Sequence, residues 1–285
     1  MIIGAQAMML KEEFARDGVF RTLEKLAAIG YRSIEVSQVP MVPETVAELS
    51  RAQHELSMDV SAISCLLAAP EGSPFDALDA DFAKIVADAK ALESQHVRIG
   101  ILTYEALASR ARLEHFCDTI EEYGKRLADE GLTLSYHNHH VDFMRFDGDA
   151  VLDVIVERCP NVFLEIDVHW VQRGGLDPVR TLAAYGDRVA LVHLKDYRIG
   201  HVPEEAFARY FAGERGAVHE TFPTLVQFAE IGEGTLDFPA IIAEAERIGV
   251  QHAFVEQDQR YGRTSLEALQ TSYSNVVAMG FGDRF

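Results

Sequence analysis

Short apolar runs alternate with longer segments of helical periodicity along nearly the whole chain. The predicted strands are residues 2–7, 33–37, 59–66, 96–102, the start of 132–143, 162–167, 189–196 and 252–258. Between them, apolar residues recur three and four positions apart, as in Phe20, Leu23 and Leu26, which predicts amphipathic helices. The pattern therefore predicts about eight strand–helix units, with no linker separating them.

Regular alternation of strands and helices favours an α/β fold with a parallel sheet. Eight units in this length fit a closed (β/α)8 barrel, predicted as a single domain over residues 1–285. A doubly wound open sheet is the alternative, but the first strand–helix turn has no glycine-rich phosphate loop. Residues 197–228 break the rhythm and hold Gly213, Gly216 and Pro223, which predicts an insertion or lid after the seventh strand.

Composition and charge narrow the classes of partner. The 285 residues are 48% hydrophobic and 25% charged, as in ordinary globular proteins. The formal net charge is -19, from 45 acidic and 26 basic residues. A strongly acidic surface repels polyanions, so we expect no nucleic-acid partner.

The cysteines and the N-terminal segment bear on location. Cys65, Cys117 and Cys159 show no CxxC spacing, which predicts reduced thiols in a cytoplasmic protein and no disulfide framework. The apolar N-terminal segment is short, and charged residues 11–13 follow it directly, so we predict a first strand and no signal peptide. No apolar run approaches the roughly 18 residues that a membrane-spanning helix needs, so no membrane partner is expected.

Polar residues gather where the predicted strands end. The stretch 132–143, LTLSYHNHHVDF, finishes with three histidines, an asparagine and an aspartate. The later strands end in Glu165 and Asp167, in His193 and Lys195, and in Glu256 and Asp258. Period-two alternation sends each of these sets to one side of its strand, and the barrel axis is the consistent choice. In such barrels functional groups lie at the carboxyl ends of the strands.

Carboxylates and an imidazole facing one axis would repel one another unless a cation lay among them. Oxygen-rich ligands with a histidine suit Mn²⁺, Mg²⁺ or Co²⁺, with Zn²⁺ as a further option. The alternative is that these are ordinary buried polar residues bonded to the backbone. The candidate ligands are Asp167, His193, Glu256 and one of His137, His139 or Asp142.

Five motifs carry a resemblance to a known family: YHNHHVDF, EIDVHWVQRGGLDPV, LVHLKD, IGEGTLDFPAI and FVEQD, in this order. As a set they resemble the sugar phosphate isomerase/epimerase family, which has the xylose isomerase-like TIM barrel, over essentially the whole chain. The resemblance implies one divalent metal ion, with Mn²⁺ favoured, held by Asp142, Asp167, His193 and Glu256. The chain departs from the family at Asp142, where Glu is usual. The shorter side chain could bind through water, or His139 could replace it.

The resemblance implies a metal-dependent isomerase or epimerase of carbohydrate metabolism. It would act on a ketose, keto-sugar or polyol by proton abstraction and enediolate stabilisation. His139 is the first choice of catalytic base, with Glu256 or Asp142 in a dual role as alternatives. Lys195 could neutralise developing oxyanion charge, or it could simply pair with Asp196 or Glu165.

Five residues are candidates for contact with the substrate, and Trp170, Glu233 and Glu35 each have a structural alternative. Trp170 would cover one sugar face or pack under a lid, and His137 would orient ligands. His169, in a motif that commonly reads D-T-x-W, would alter what the pocket accepts. Glu233 would bind a hydroxyl or cap the following helix, and Glu35 would line the pocket or be structural.

The sequence is also compared with three other functions. The same site could run a lyase reaction on an inosose or a 3-keto-glycoside, because both reactions begin with the same proton abstraction. A DNA-repair endonuclease is disfavoured by the acidic balance of the chain. A non-enzymatic sugar-binding protein is kept open by Asp142. The expected partner is a small-molecule sugar, and a homodimer or homotetramer is an option that the sequence leaves undecided.

Overall fold

The centre of the molecule is a closed barrel of eight parallel strands, seen in a computed structural model that describes residues Met1 to Phe285. The strands are β1 Ile2–Gln6, β2 Ser33–Val36, β3 Asp59–Cys65, β4 His96–Ile99, β5 Thr133–His137, β6 Val162–Asp167, β7 Val189–Leu194 and β8 His252–Val255. Strand order around the barrel follows chain order, and β8 pairs with β1 to close the ring. The predicted α/β class and (β/α)8 barrel are confirmed.

Helices follow the strands and cover the outside of the barrel. They are α1 Lys11–Asp17, α2 Val19–Ile29, α3 Pro43–Leu56, α4 Leu78–Ala91, α5 Arg110–Asp129, α6 Val151–Arg158, α7 Val168–Arg173, α8 Pro178–Tyr185, α9 Glu204–Phe211, α10 Phe238–Arg247 and α11 Ser265–Val276. Local chemistry sets several starts: proline occupies the first turn of α3 and α8, and Thr264 and Glu267 form a capping box at α11. None of these helices is both long and apolar enough to cross a bilayer.

The apolar core lies mainly between the barrel and the helices, where 62 buried residues form one cluster. Tyr136 of β5 belongs to this layer and packs against Phe116 of α5. Inside the barrel, a separate small cluster of Ala62, Leu191 and Phe254 fills the middle. Above this small cluster, the inward-facing positions of the strands carry polar side chains, and these form the candidate site.

Two irregularities in strand pairing lie directly beneath the site. The register between β2 and β3 shifts at Ile34 and Glu35, and the register between β6 and β7 shifts at Leu164 and Glu165. The extra residues are in the partner strands, Ser61 in β3 and Ala190 in β7, where they re-aim the side chains around them. Glu35 and Glu165 lie opposite these positions, and both approach the same histidine of β7, as described below.

Residues 197–228, predicted as an insertion or lid, lie between β7 and α10 and fold mainly as a hairpin with a helix. Asp196–Ile199 pairs antiparallel with Val226–Ala229, and α9 and a 3₁₀ turn at His219–Thr224 lie between these strands. The predicted β7 therefore ends earlier than expected, because Asp196 already belongs to this hairpin. Closure of the insertion over the site, as a lid, stays a prediction.

Candidate metal centre and adjoining pocket

Four buried side chains converge at the carboxyl ends of the barrel strands. His137 ends β5, Asp167 ends β6, His193 lies in β7 and Glu256 directly follows β8. One nitrogen or carboxylate oxygen from each lies within 4.8 Å of those of the other three. Two imidazoles and two carboxylates at this spacing are a donor set that suits a divalent ion.

The hydrogen bonds of His137 leave one ring nitrogen free. Its Nδ1 lies 3.2 Å from the carbonyl oxygen of Gly100, to which it can only donate. Nε2 therefore keeps its lone pair, has no hydrogen-bond partner and lies 3.4 Å from Asp167 Oδ2. Burial, together with the charge of Arg98, lowers the pKa of His137 to about 4, so the ring is neutral at pH 7. A backbone carbonyl behind a neutral imidazole is typical of histidine metal ligands.

Asp167 is oriented by local backbone contacts. Its Oδ1 accepts the N–H of Trp170 at 3.1 Å and so caps the start of α7. The backbone N–H of Asp167 donates to Asn138 Oδ1 at 2.9 Å. These contacts turn the second oxygen, Oδ2, toward His137.

His193 is held from behind by two carboxylates. Its Nε2 lies 2.9 Å from Glu35 Oε2 and 3.1 Å from Glu165 Oε1, while Nδ1 lies 2.7 Å from Glu256 Oε2. With Nε2–H donating to the carboxylates behind it, Nδ1 faces the converging group as the ligand atom. Burial lowers the pKa of His193, but the surrounding carboxylates outweigh it and hold this pKa well above its usual range. The positively charged form of the imidazole is thus favoured among these carboxylates.

Glu35, Glu165 and His193 are a second group whose ligand atoms lie close together. Arg98 already supplies a cation here: its Nε donates to Glu165 and lies 3.4 Å from Glu35 Oε1. Burial and the charge of Glu165 raise the pKa of Glu35 to about 7. Glu35, predicted to contact substrate, instead lies behind His193 and supports it.

Asp142 lies outside the four converging groups, in contrast to the ligand set that the family resemblance implied. Its Oδ2 accepts the hydroxyl of Tyr136 at 3.0 Å and the backbone N–H of His139 at 2.7 Å. Because Tyr136 faces the helices, these bonds draw the short carboxylate away from the barrel axis. Burial raises the pKa of Asp142 to about 7. His137 is the fourth member of the converging group instead. Strand alternation in 132–143 indicates this, because it puts His137 on the side of the strand opposite Tyr136.

Lys195 is buried among three carboxylates. Its Nζ lies 3.0 Å from Asp167 Oδ2, 2.8 Å from Glu256 Oε2 and 2.6 Å from Asp258 Oδ2. Burial lowers the pKa of Lys195, but these carboxylates outweigh it and raise the pKa above its usual value. Lys195 is therefore an ammonium ion beside the four converging groups. Neither of the pairing partners weighed from the sequence, Asp196 or Glu165, is its partner.

The remaining predicted residues divide between the pocket and its surroundings. His139 and Trp170 line the cavity, with ring centroids 5.2 Å apart. Burial and the neighbouring His137 lower the pKa of His139 to about 2, so this ring is neutral. His169 lies behind Trp170: its Nδ1 donates to the carbonyl oxygen of Asp196 at 2.8 Å, and its ring stacks on Phe228.

Glu233 is occupied by an ion pair away from the cavity. Its two carboxylate oxygens accept from Arg263 at 2.6 and 2.8 Å. The turn that carries it is anchored by Asp196, whose carboxylate accepts the backbone N–H groups of Gly232, Gly234 and Leu236. The predicted contact of Glu233 with substrate does not fit this geometry. The arginine is 30 residues further along the chain, and no local pattern indicates the pairing.

A cavity of about 630 Å³ opens above the four converging groups. Its floor is polar and includes Arg98, His137, Lys195, Glu256 and Asp258. One wall is formed by the loops that follow β3 and β4. The sequence pattern places Asp258 at a strand end and assigns it no role.

Comparison with known families identifies the class of protein. A family model described as xylose isomerase-like TIM barrel matches residues 23–271. The chain belongs to the xylose isomerase-like TIM barrel family.

Solved structures of this fold superpose on nearly the full chain. A sugar phosphate isomerase/epimerase from Parabacteroides distasonis has a TM-score of 0.73 at 18% identity, covering 98% of this chain and 97% of that one. A 3-keto-D-glucoside 4-epimerase from E. coli has a TM-score of 0.67 at 15% identity, covering 98% and 99%. The IOLI protein, solved with a bound zinc atom, has a TM-score of 0.69 at 15% identity, covering 100% and 99%.

A curated relative shares a shorter segment. A protein of Aromatoleum aromaticum named as nucleotide-binding is 31% identical over 174 residues, covering 49% of this chain. The match spans 59% of that protein, so the chain accounts for less than two thirds of its length.

Proposed function

We propose that the protein is a divalent-metal-dependent isomerase or epimerase that acts on a ketose, keto-sugar or related polyol. The observation that supports this most strongly is the convergence of His137, Asp167, His193 and Glu256, with the free Nε2 of His137 facing Asp167. A buried lone pair without a donor is costly unless something occupies it. A metal ion would meet that need and also screen the repulsion between the carboxylates.

The donor set fits the implied cofactor. His137, Asp167, His193 and Glu256 would hold one ion, and the two imidazoles favour Mn²⁺, Co²⁺ or Zn²⁺ over Mg²⁺. When bound, such an ion supplies Lewis acidity that stabilises charge on adjacent carbonyl and hydroxyl oxygens of a sugar. The zinc atom bound in the IOLI structure, which shares this fold, supports a metal cofactor for this chain.

The side chains around the cavity would share the proton transfers. Glu256 faces the cavity and is our choice of base, since Asp142 lies outside the converging groups and Glu256 is both one of the four converging groups and part of the cavity lining. Lys195 would donate a hydrogen bond to the substrate oxygen on which charge develops. His139 would hydrogen-bond a hydroxyl, and Trp170 would cover one face of the ring.

A lyase reaction is the second candidate, and the contact between Lys195 and Asp258 favours it. An ammonium ion paired with a cavity-facing carboxylate could pass a proton to a departing hydroxyl or alkoxide after the first proton abstraction. Nucleotide binding, as in the name of the curated relative, is not part of the proposal. The phosphates would have to approach Glu256 and Asp258 on the cavity floor.

The proposal is tested with purified protein, a panel of keto-sugars and solvent deuterium. We expect exchange of one substrate C–H with solvent, dependent on added metal, and loss of both bound metal and turnover in His193→Ala. Rearranged sugar would identify the isomerase or epimerase, and loss of water or aglycone the lyase. Unchanged metal content in His193→Ala would contradict the proposed metal site.

A further inference from the structure

The cavity above the metal centre has two chemically different parts. The floor carries charged groups, as described above. The wall built by the loop after β3 contributes Leu66, Leu67 and Phe75, and the loop after β4 contributes Ile101, Leu102 and Tyr104. A polar floor with an apolar wall is the arrangement expected for a ligand that is itself polar at one end.

The two parts are joined at Gly100. Its carbonyl oxygen accepts from His137 Nδ1 and so belongs to the support of the metal centre. Ile101 is the next residue and already lies in the apolar wall. A substrate whose reacting carbon lies beside His137 would therefore place a neighbouring substituent directly against this wall.

The size of the cavity exceeds what a free monosaccharide needs. A hexose occupies roughly 200 Å³ if each of its six CHOH units takes the ~30 Å³ of a water molecule. The cavity measures about 630 Å³, so more than half of it would remain unfilled. Apolar side chains are part of the cavity lining, so an apolar group could fill some of the remaining volume.

Two large side chains of this wall expose apolar surface at the mouth. Tyr104 is 80% exposed and Ile101 is 45% exposed, and both line the cavity. Large exposed apolar groups concentrated in a pocket mark a binding surface more often than scattered ones do. An apolar group placed there would remove their surface, and its own, from water.

We propose that the substrate is a hydroxylated ring that carries an apolar substituent, as in an aryl or long-chain alkyl glycoside. The ring lies over the polar floor, and the substituent lies against Leu66, Leu67, Phe75, Ile101 and Tyr104. This rests on the proposed function for the position of the ring, and it adds the class of substrate.

The experiment compares binding of methyl, phenyl and 2-naphthyl β-D-glucoside to the metal-loaded protein by isothermal titration calorimetry. We expect the affinity to rise at least tenfold from the methyl to the naphthyl compound. In the double variant I101S/Y104S the same ratio should fall below threefold. The matched control is Phe211→Ser, which removes an aromatic ring that is also 80% exposed but lies on α9, outside the cavity lining. It should keep the wild-type ratio.

Equal affinity of the wild-type protein for all three glucosides would overturn the proposal, as would a full ratio in the double variant. Thermal unfolding confirms that the variants fold, which is expected because both substituted positions are exposed. Metal content is measured on the same samples. Absence of bound metal would count against the proposed function, whereas a lost naphthyl preference with metal in place would count against the apolar substituent alone.

Discussion

Arg98 offers the sharpest test of how the buried charges beneath the site are balanced. Its guanidinium contacts Glu165 and Glu35, and both glutamates are 0% exposed. Arg98→Met keeps the approximate length of the side chain and removes the charge, leaving His193 as the remaining partner of the two carboxylates. Breaking a buried ion pair by removing one partner costs about 3–5 kcal/mol. Because His193 remains, we expect a loss of about 3 kcal/mol at pH 8.

The destabilisation caused by Arg98→Met should be smaller at lower pH, and the titration of Glu35 determines this direction. Its pKa in the folded protein is raised to about 7, whereas the unfolded value is near 4.5. Between these values the folded protein binds more protons than the unfolded chain, so lowering the pH favours folding. Removing Arg98 raises this pKa further, which makes the relief larger in the variant. We expect roughly half of the destabilisation to disappear at pH 5.5.

The assay is urea unfolding followed by circular dichroism, at pH 8 and pH 5.5, with EDTA present so that bound metal does not contribute. Arg247→Met is the control: Arg247 is exposed and bonded to Glu244 on α10, so its removal should leave the unfolding midpoint unchanged. An equal loss at both pH values for Arg98→Met, or a loss below about 1 kcal/mol at pH 8, would refute the reasoning.

Three further predictions concern other parts of the chain. Burial and nearby His252 lower the pKa of His96 to about 4, so the free energy of unfolding should fall as the pH drops below about 6.5. Between pH 7 and pH 5 the wild type should lose up to about 2 kcal/mol more than His96→Gln, as measured by chemical denaturation. Asp196→Ala should cost about 3 kcal/mol in the same assay, because the backbone N–H groups that it accepts lose a charged partner, and a near-neutral change would contradict the anchoring role. Glu256→Gln should stop exchange of substrate deuterium with solvent, whereas His139→Gln should slow it without stopping it; the opposite result would make His139 the base.

Much of the barrel could be predicted because strand and helix periodicity are local signals. The alternation of Glu165 with Ile166, and of His193 with Leu194, already indicated which side chains face the axis. The closed ring brings the inward ends of separate strands to one place, which is why Asp167, His193 and Glu256 lie together in the structure. That these three residues bind a metal ion remains a proposal.

The structure differs from the sequence-based predictions where contacts between distant segments, or the direction of a single side chain, determine the outcome. Glu35 alternates regularly with Ile34 in β2, but its partners Arg98 and His193 come from distant strands, and hydrophobic patterning does not reveal those pairings. Glu233 is turned away by Arg263, from a distant segment. The motif resemblance implied that Asp142 is a metal ligand, but its carboxylate instead caps a 3₁₀ turn at the backbone N–H of His139 and accepts the hydroxyl of Tyr136. These two bonds decide where the carboxylate lies.

The central claim is tested most directly by the metal content of three samples, measured by mass spectrometry after incubation with Mn²⁺ and gel filtration. The wild-type protein should retain one ion per chain, and Asp142→Asn should retain as much. His137→Ala should lose it, because the Nε2 lone pair that faces Asp167 is gone. Retention of the ion by His137→Ala, together with its loss in Asp142→Asn, would contradict the centre described here.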